Sequence, residues 1–162
     1  MPFPILGFDS DNGGEFLNYH LLRHFADRVK PVQFTRSRPY HKDDNAHVEQ
    51  KNWTHIRQWF GYHRLNKKKI VDLMNELYRS QWRLYHNFFQ PSTKLIEKKV
   101  IASKVFKRYD KPKTPYERVL ESKHVNRSIK QSLKEQFDTL NPFRLRKDIE
   151  AKLKKIFDTL KL

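Results

Sequence analysis

The sequence predicts an α/β fold followed by a helical, strongly basic carboxyl-terminal region. Three features carry this expectation. The apolar run Pro4-Ile5-Leu6-Gly7-Phe8, a stretch at helical spacing and the alternating Val32-Gln33-Phe34-Thr35 together spell strand, helix, strand. From Ile70 onward apolar residues recur mostly at helical intervals. Finally, 34 Lys and Arg stand against 18 Asp and Glu, a formal charge of +16, which implies polyanionic partners or anionic membrane surfaces, with nucleic acid ahead of membranes.

Pro4 to Phe8 is short, apolar and closed by Asp11-Asn12-Gly13-Gly14, so it reads as a buried strand ending at a tight turn. Residues 18–29 place Leu21, Leu22, Phe25 and Ala26 on one side of a helix, with Asn18 as its cap. Val32 to Thr35 is a strand of about four residues, stopped by Ser37-Arg38-Pro39. A strand, helix, strand unit gives parallel strands, and ligands collect at their carboxyl ends. Asp11 and the loop at Pro39 are expected there.

Asp44 or Asn45 can cap the next helix, whose apolar side runs through Val48, Ile56 and Phe60 and which extends to Arg64 or Leu65. Trp53, Trp59 and Phe60 read as core. After the charged link Lys67-Lys68-Lys69, the stripe Leu73, Leu77, Leu84 and Phe88 predicts a long packed helix, ended by Gln90-Pro91-Ser92. From Thr93 lysines and apolar residues interleave irregularly, which leaves short strands, a hairpin or an extended arm along DNA all open. Thr114-Pro115-Tyr116-Glu117 fits a capping box that starts a short helix. Val125, Ile129, Leu133 and Phe137 mark another helix, and Asn141-Pro142 opens the last, with Leu145, Ile149, Leu153, Ile156 and Leu160. These two stripes are expected to bury each other as an antiparallel helical pair, or to serve dimerisation.

Of the 162 residues 37% are hydrophobic, 14% aromatic and 32% charged, so the core is modest and leans on aromatic side chains. The absence of cysteine excludes disulfides, thiolate catalysis and cysteine-based zinc sites. No apolar run approaches bilayer-spanning length and no signal-peptide pattern opens the chain. The expectation is therefore no membrane and a cytoplasmic chain, nucleoid-associated if bacterial, with DNA as the polyanion.

Two carboxylates stand out. Asp11 sits at the strand's end, where Asn12-Gly13-Gly14 turns the chain, and Glu49 sits in the first turns of the following helix. Alone, one would pass for a turn aspartate and the other for a solvent-facing glutamate. Converging in space, they would supply hard oxygen ligands of the kind Mg2+ takes. Between them, Arg38 and Lys42 can contact phosphates, Tyr40 can stack or hydrogen-bond, and His41 can assist either. Asn45 and Asn52 lie near Glu49 on the helix surface, and Arg57 lies two turns on, within reach of a phosphate.

Asp11-Asn12-Gly13-Gly14-Glu15-Phe16, then Arg38-Pro39-Tyr40, then Asn45-Ala46-His47-Val48-Glu49, resembles the second and third acids of DDE transposases and retroviral-type integrases. The resemblance continues through Phe89-Gln90-Pro91-Ser92 and Tyr109-Asp110-Lys111-Pro112-Lys113-Thr114-Pro115-Tyr116, which look like the region after the catalytic core in bacterial insertion-sequence transposases. It implies a partial ribonuclease H-like core over residues 1–92 and a basic, mainly helical extension over 93–162. It also implies DNA as substrate, Mg2+ or Mn2+ as cofactor, and Asp11 and Glu49 as catalytic metal ligands.

The family's first acid comes from an earlier strand, and only ten residues precede Asp11. Asp9 does not match that position, so the chain is expected to be a transposase truncated at its amino end, lacking the core's first strands and inactive alone. The alternative is a non-catalytic DNA-binding or oligomerising module, acting as a homo-oligomer or with full-length transposase.

Overall fold

The computed structural model of the chain describes residues 4–10, 19–38 and 40–161, with Lys42, Asp43, Ala46 and His47 as backbone. It is a mixed α/β protein with two compact units, Met1–His63 and Arg64–Leu162. The division falls ahead of the change in sequence character at residue 93, because the helices of residues 68–89 pack with the carboxyl-terminal helix.

In the first unit β1 (Gly7–Ser10) pairs in parallel with β2 (Gln33–Arg36), in the register Phe8 to Phe34 and Ser10 to Arg36. Between them in sequence lies α1 (Tyr19–Ala26), as parallel pairing requires a crossover. Side chains alternate along a strand. Phe8 therefore points to α1, stacking on Phe25 at 4.7 Å and on Phe34 at 5.5 Å, while Asp9 faces the other way and accepts a hydrogen bond from Thr35 Oγ1 at 2.8 Å. Phe25 and Val32 are buried, and the Val32 amide closes the crossover on the Phe25 carbonyl at 3.1 Å.

A 3-10 turn (Lys42–Asn45) runs directly into α2 (Ala46–Asn52), which continues through a π-helical turn, Trp53–Arg57, into the single turn α3 (Gln58–Phe60). Asn45 is itself helical and makes no side-chain cap, and Asp44 is bonded to Arg38, so neither expected cap operates. The helix stops at Gly61, short of Arg64, since Gly61 adopts φ 62° and ψ −144°, open to glycine and strained for other residues. Phe60 is fully buried but Trp53 is 50% exposed, which corrects the expectation that both belong to the core.

In the second unit α4 (Lys68–Leu77), a π-helical turn (Tyr78–Trp82) and α5 (Arg83–Phe89) form the long helix expected from the apolar stripe, ended where Gln90 turns extended ahead of Pro91. Next comes an antiparallel hairpin, β3 (Leu95–Ile101) and β4 (Lys104–Tyr109), which resolves the open alternatives for that segment. Its two-residue turn, Ala102 and Ser103, has φ of 46° and 66°. Helix α6 (Pro115–Glu121) begins with the capping box: Thr114 Oγ1 accepts from the Glu117 amide at 3.1 Å, and Glu117 Oε2 accepts from the Thr114 amide at 2.6 Å.

Helix α7 (Arg127–Asp138) precedes α8 (Pro142–Leu160), which Asn141 caps through the Arg144 amide at 3.0 Å. The last two helices do not form the expected self-covering pair. The α8 stripe, with Leu145, Ile149 and Ile156 buried, packs along α4, its π-helical turn and α5. Helix α7 instead places Phe137 against Phe88, Phe89 and Tyr116, with ring centroids 6.2, 5.5 and 4.9 Å away. The longer apolar surface of residues 68–89 is the better cover for a 19-residue helix than the 12-residue α7.

Candidate nucleic-acid and metal site

The parallel register brings the carboxyl ends of β1 and β2 to one edge, Ser10 beside Arg36. Just beyond, the Ser37 amide donates to the Ser10 carbonyl at 3.0 Å and the Ser37 hydroxyl is buried against the same oxygen. This tie joins the carboxyl ends of the two strands. Asp11, next in sequence after β1, lies outside the described residues together with the expected cap Asn18. The Arg38 to Asp44 loop follows β2.

Within that loop Arg38 and Asp44 hold each other. The guanidinium meets both carboxylate oxygens, Nε to Oδ2 at 2.9 Å and Nη2 to Oδ1 at 3.0 Å, and the Arg38 amide adds a bond at 3.1 Å. These hydrogen bonds from Arg38 pull the Asp44 carboxyl down to about 2. Tyr40 stands fully exposed at φ 65°, a left-handed conformation that a tyrosine adopts only at a cost. His41 is exposed, its amide bonded to the Arg38 carbonyl and its carbonyl to the Asp44 amide. The Lys42 side chain lies outside the described residues.

Glu49 is in the first turn of α2 and exposed, with no ion pair among the described residues. Its oxygens are the hard donors a Mg2+ or Mn2+ ion selects, so the donor chemistry fits. Among the described residues no group of three or more His, Asp and Glu converges as a metal cluster, and Asp9 is engaged by Thr35. Asn45 buries its Oδ1, while Asn52 is exposed. Arg57 turns back on its own helix, donating to the Gly61 carbonyl at 3.3 Å and lying 4.7 Å over the Tyr62 ring.

The charge is divided unevenly between the units. Residues 1–63 hold 8 Lys and Arg against 7 Asp and Glu, or +1, whereas residues 64–162 hold 26 against 11, or +15. The strongest polyanion attraction therefore belongs to the second unit, away in sequence from the two acids.

A 117-residue stretch, 72% of this chain, is 43% identical to the uncharacterized protein y4rM of Sinorhizobium fredii and makes up 33% of that protein. The chain thus spans about a third of the length of the curated relative it matches. No family model matches the chain, and no solved structure matches it.

Proposed function

We propose that the chain contributes the second and third acids, Asp11 and Glu49, of a DDE-type polynucleotidyl transferase built on a partial ribonuclease H-like core. The observation that carries this reading is the order Asp11-Asn12-Gly13-Gly14, Arg38-Pro39-Tyr40, Asn45-Ala46-His47-Val48-Glu49, which follows the strands of a parallel β1-α1-β2 unit in sequence and ends on helix α2. The exposure of Glu49 in the first turn of its helix supports reading it as a ligand.

Asp11 and Glu49 would hold Mg2+ or Mn2+, which when bound activates water or a DNA 3′ hydroxyl for in-line attack on a phosphodiester. Tyr40 and His41 shape the path of the strand, and Asn52 borders it. Arg38 reaches a phosphate when the phosphate displaces Asp44, an exchange that an exposed ion pair permits at little cost. The first acid of the triad has no counterpart among these residues, and a polypeptide with the preceding strands would supply it.

The test is metal-dependent strand transfer on labelled DNA ends, with the chain alone and mixed with a polypeptide carrying the first strands of a DDE core. Activity only on mixing, abolished by Glu49→Gln, is the expected result. Failure of the mixture while salt-sensitive DNA binding persists would instead support a DNA-binding module without chemistry, which the concentration of charge in residues 64–162 favours.

A further inference from the structure

The hairpin β3–β4 is the most exposed element of the second unit. Every residue of β4 and all of β3 except Glu97 are exposed, and the two strands have each other as their main packing partner. Residues 94–109 hold six Lys and Arg and a single acid, Glu97.

The register separates this charge into two unlike faces, because directly opposed residues share a face and neighbours along a strand alternate. On one face Glu97 lies opposite Arg108 and engages Lys99 at 2.9 Å and Arg108 at 3.5 Å, while Lys104 lies further along, opposite Ile101. On the other face Lys98 stands directly opposite Lys107, next to the pair Val100 with Val105 and, across a register shift between Leu95 and Glu97, the pair Leu95 with Tyr109. Neither lysine has an ion pair among the described residues. Like charges placed directly opposite destabilise a ribbon, and a polyanion laid on this face relieves that repulsion.

We propose that the Lys98–Lys107 face of the hairpin is a binding surface for the phosphate backbone of duplex DNA. A two-stranded ribbon is of a size that the major groove, about 12 Å wide, admits, and Tyr109 on the same face supplies an aromatic edge beside the two ammonium groups. An anionic bilayer is a poorer occupant. The lysines sit in the middle of the face and not on its rim, so immersing Val100, Val105 and Leu95 would drag both charges below the headgroups, at high cost. A second copy of the chain is poorer still, since a two-fold contact over this face would bring four lysines together. The proposal shares with the proposed function only the choice of DNA, and requires neither metal nor Asp11 and Glu49.

The experiment is fluorescence anisotropy of the full chain on a labelled duplex of about 20 base pairs, in EDTA, across a salt series. The double variant Lys98→Gln, Lys107→Gln is compared with Lys134→Gln, Lys147→Gln, which removes the same charge from exposed positions on α7 and α8. Loss of two phosphate contacts is expected to make the plot of log affinity against log salt shallower by about 1.8, or roughly 0.9 per contact, in the hairpin variant alone. An unchanged slope in that variant, or an equal loss in both, overturns the proposal in favour of diffuse charge. Vesicle binding or self-association abolished by the hairpin substitutions, with duplex binding intact, overturns it in favour of a lipid or a second copy. Thermal melts confirm folding, which removal of a repulsive pair preserves. Because EDTA excludes metal-dependent chemistry, failure here and failure of strand transfer are read separately.

Discussion

Arg118 fastens the base of the basic hairpin by gripping Asp110 eight residues behind it. Its Nη1 donates to Asp110 Oδ2 at 2.6 Å and its Nη2 to the Ser92 carbonyl at 2.6 Å, while Asp110 Oδ1 accepts from the Lys94 amide at 2.5 Å. One guanidinium thus ties the strand entering the hairpin, the strand leaving it and the first turn of α6. The Ser92–Lys113 bridge, with bonds of 2.9 and 3.1 Å, continues the clasp one step further. A hairpin with so little packing beyond its own strands is marginal in water, and this clasp is what anchors it.

The clasp sets an acid limit. Hydrogen bonds from Arg118, and then from the Lys94 amide, lower the Asp110 carboxyl to about 2 from an unfolded value of 3.8. A depressed carboxyl contributes stability that is present above the unfolded value and lost as pH falls through the folded one. The second unit is therefore expected to lose stability between about pH 4 and pH 2, and Asp110→Asn to lower the melting temperature at pH 7 while flattening that acid limb. Thermal melts of both proteins over the pH range check it; identical acid limbs would show that other carboxylates set the loss.

The turn of the same hairpin carries a cost that substitution can remove. Ala102 and Ser103 both hold positive φ, which in a two-residue loop is the type I′ arrangement that Asn-Gly adopts readily. Replacing them with Asn-Gly is expected to stabilise the hairpin by about 1 kcal/mol. Amide hydrogen exchange of Val100 and Val105 reads this directly, as slower exchange in the variant. Faster exchange would mean that Ala102 and Ser103 sit there without strain.

How far the sequence could be read is clear from particular residues. Thr114 with Glu117 and Asn141 with Pro142 were legible because capping needs only local spacing, and the structure forms both. The stripe on α8 identified Ile149 and Ile156 as buried, but not what buries them, since periodicity marks a face and not its cover. Trp53 was misplaced because a π-helical turn begins at that residue and shifts the phase of the helix beyond it. At the candidate site, Glu49 lies exposed in its helix's first turn as the pattern implied. The partners of Arg38 and Arg57 were not foreseeable, because each turns back on neighbours in its own loop or helix end. Asp110 with Arg118 was hidden too, their pairing being made by the hairpin's closure.

Ile149 tests whether α8 belongs to the core of the second unit. Its side chain is fully buried, as are Ile70 and Leu77 on the helix α4 that α8 packs along. Ile149→Ala is expected to cost roughly 2–5 kcal/mol, enough to unfold a marginal unit, whereas Phe143→Ala, at an 85% exposed position on the same helix, should change little. Urea unfolding followed by circular dichroism separates the two; equal midpoints would mean that α8 is held elsewhere than by its apolar stripe.

Asp44 governs how much positive charge the loop beside Glu49 can offer. It occupies both arms of Arg38, yet the Arg38 side chain remains 68% exposed, so the pair screens a cation that otherwise faces solvent. Asp44→Asn should leave the melting temperature nearly unchanged at pH 7, since exposed ion pairs contribute little. It should also free Arg38 for a phosphate and steepen the salt dependence of DNA binding by about 0.9. The same anisotropy series measures this. The paired variant Arg38→Gln, Asp44→Asn should return the slope to the wild-type value, and a slope that stays steep without Arg38 would assign the new contact to another residue of the loop.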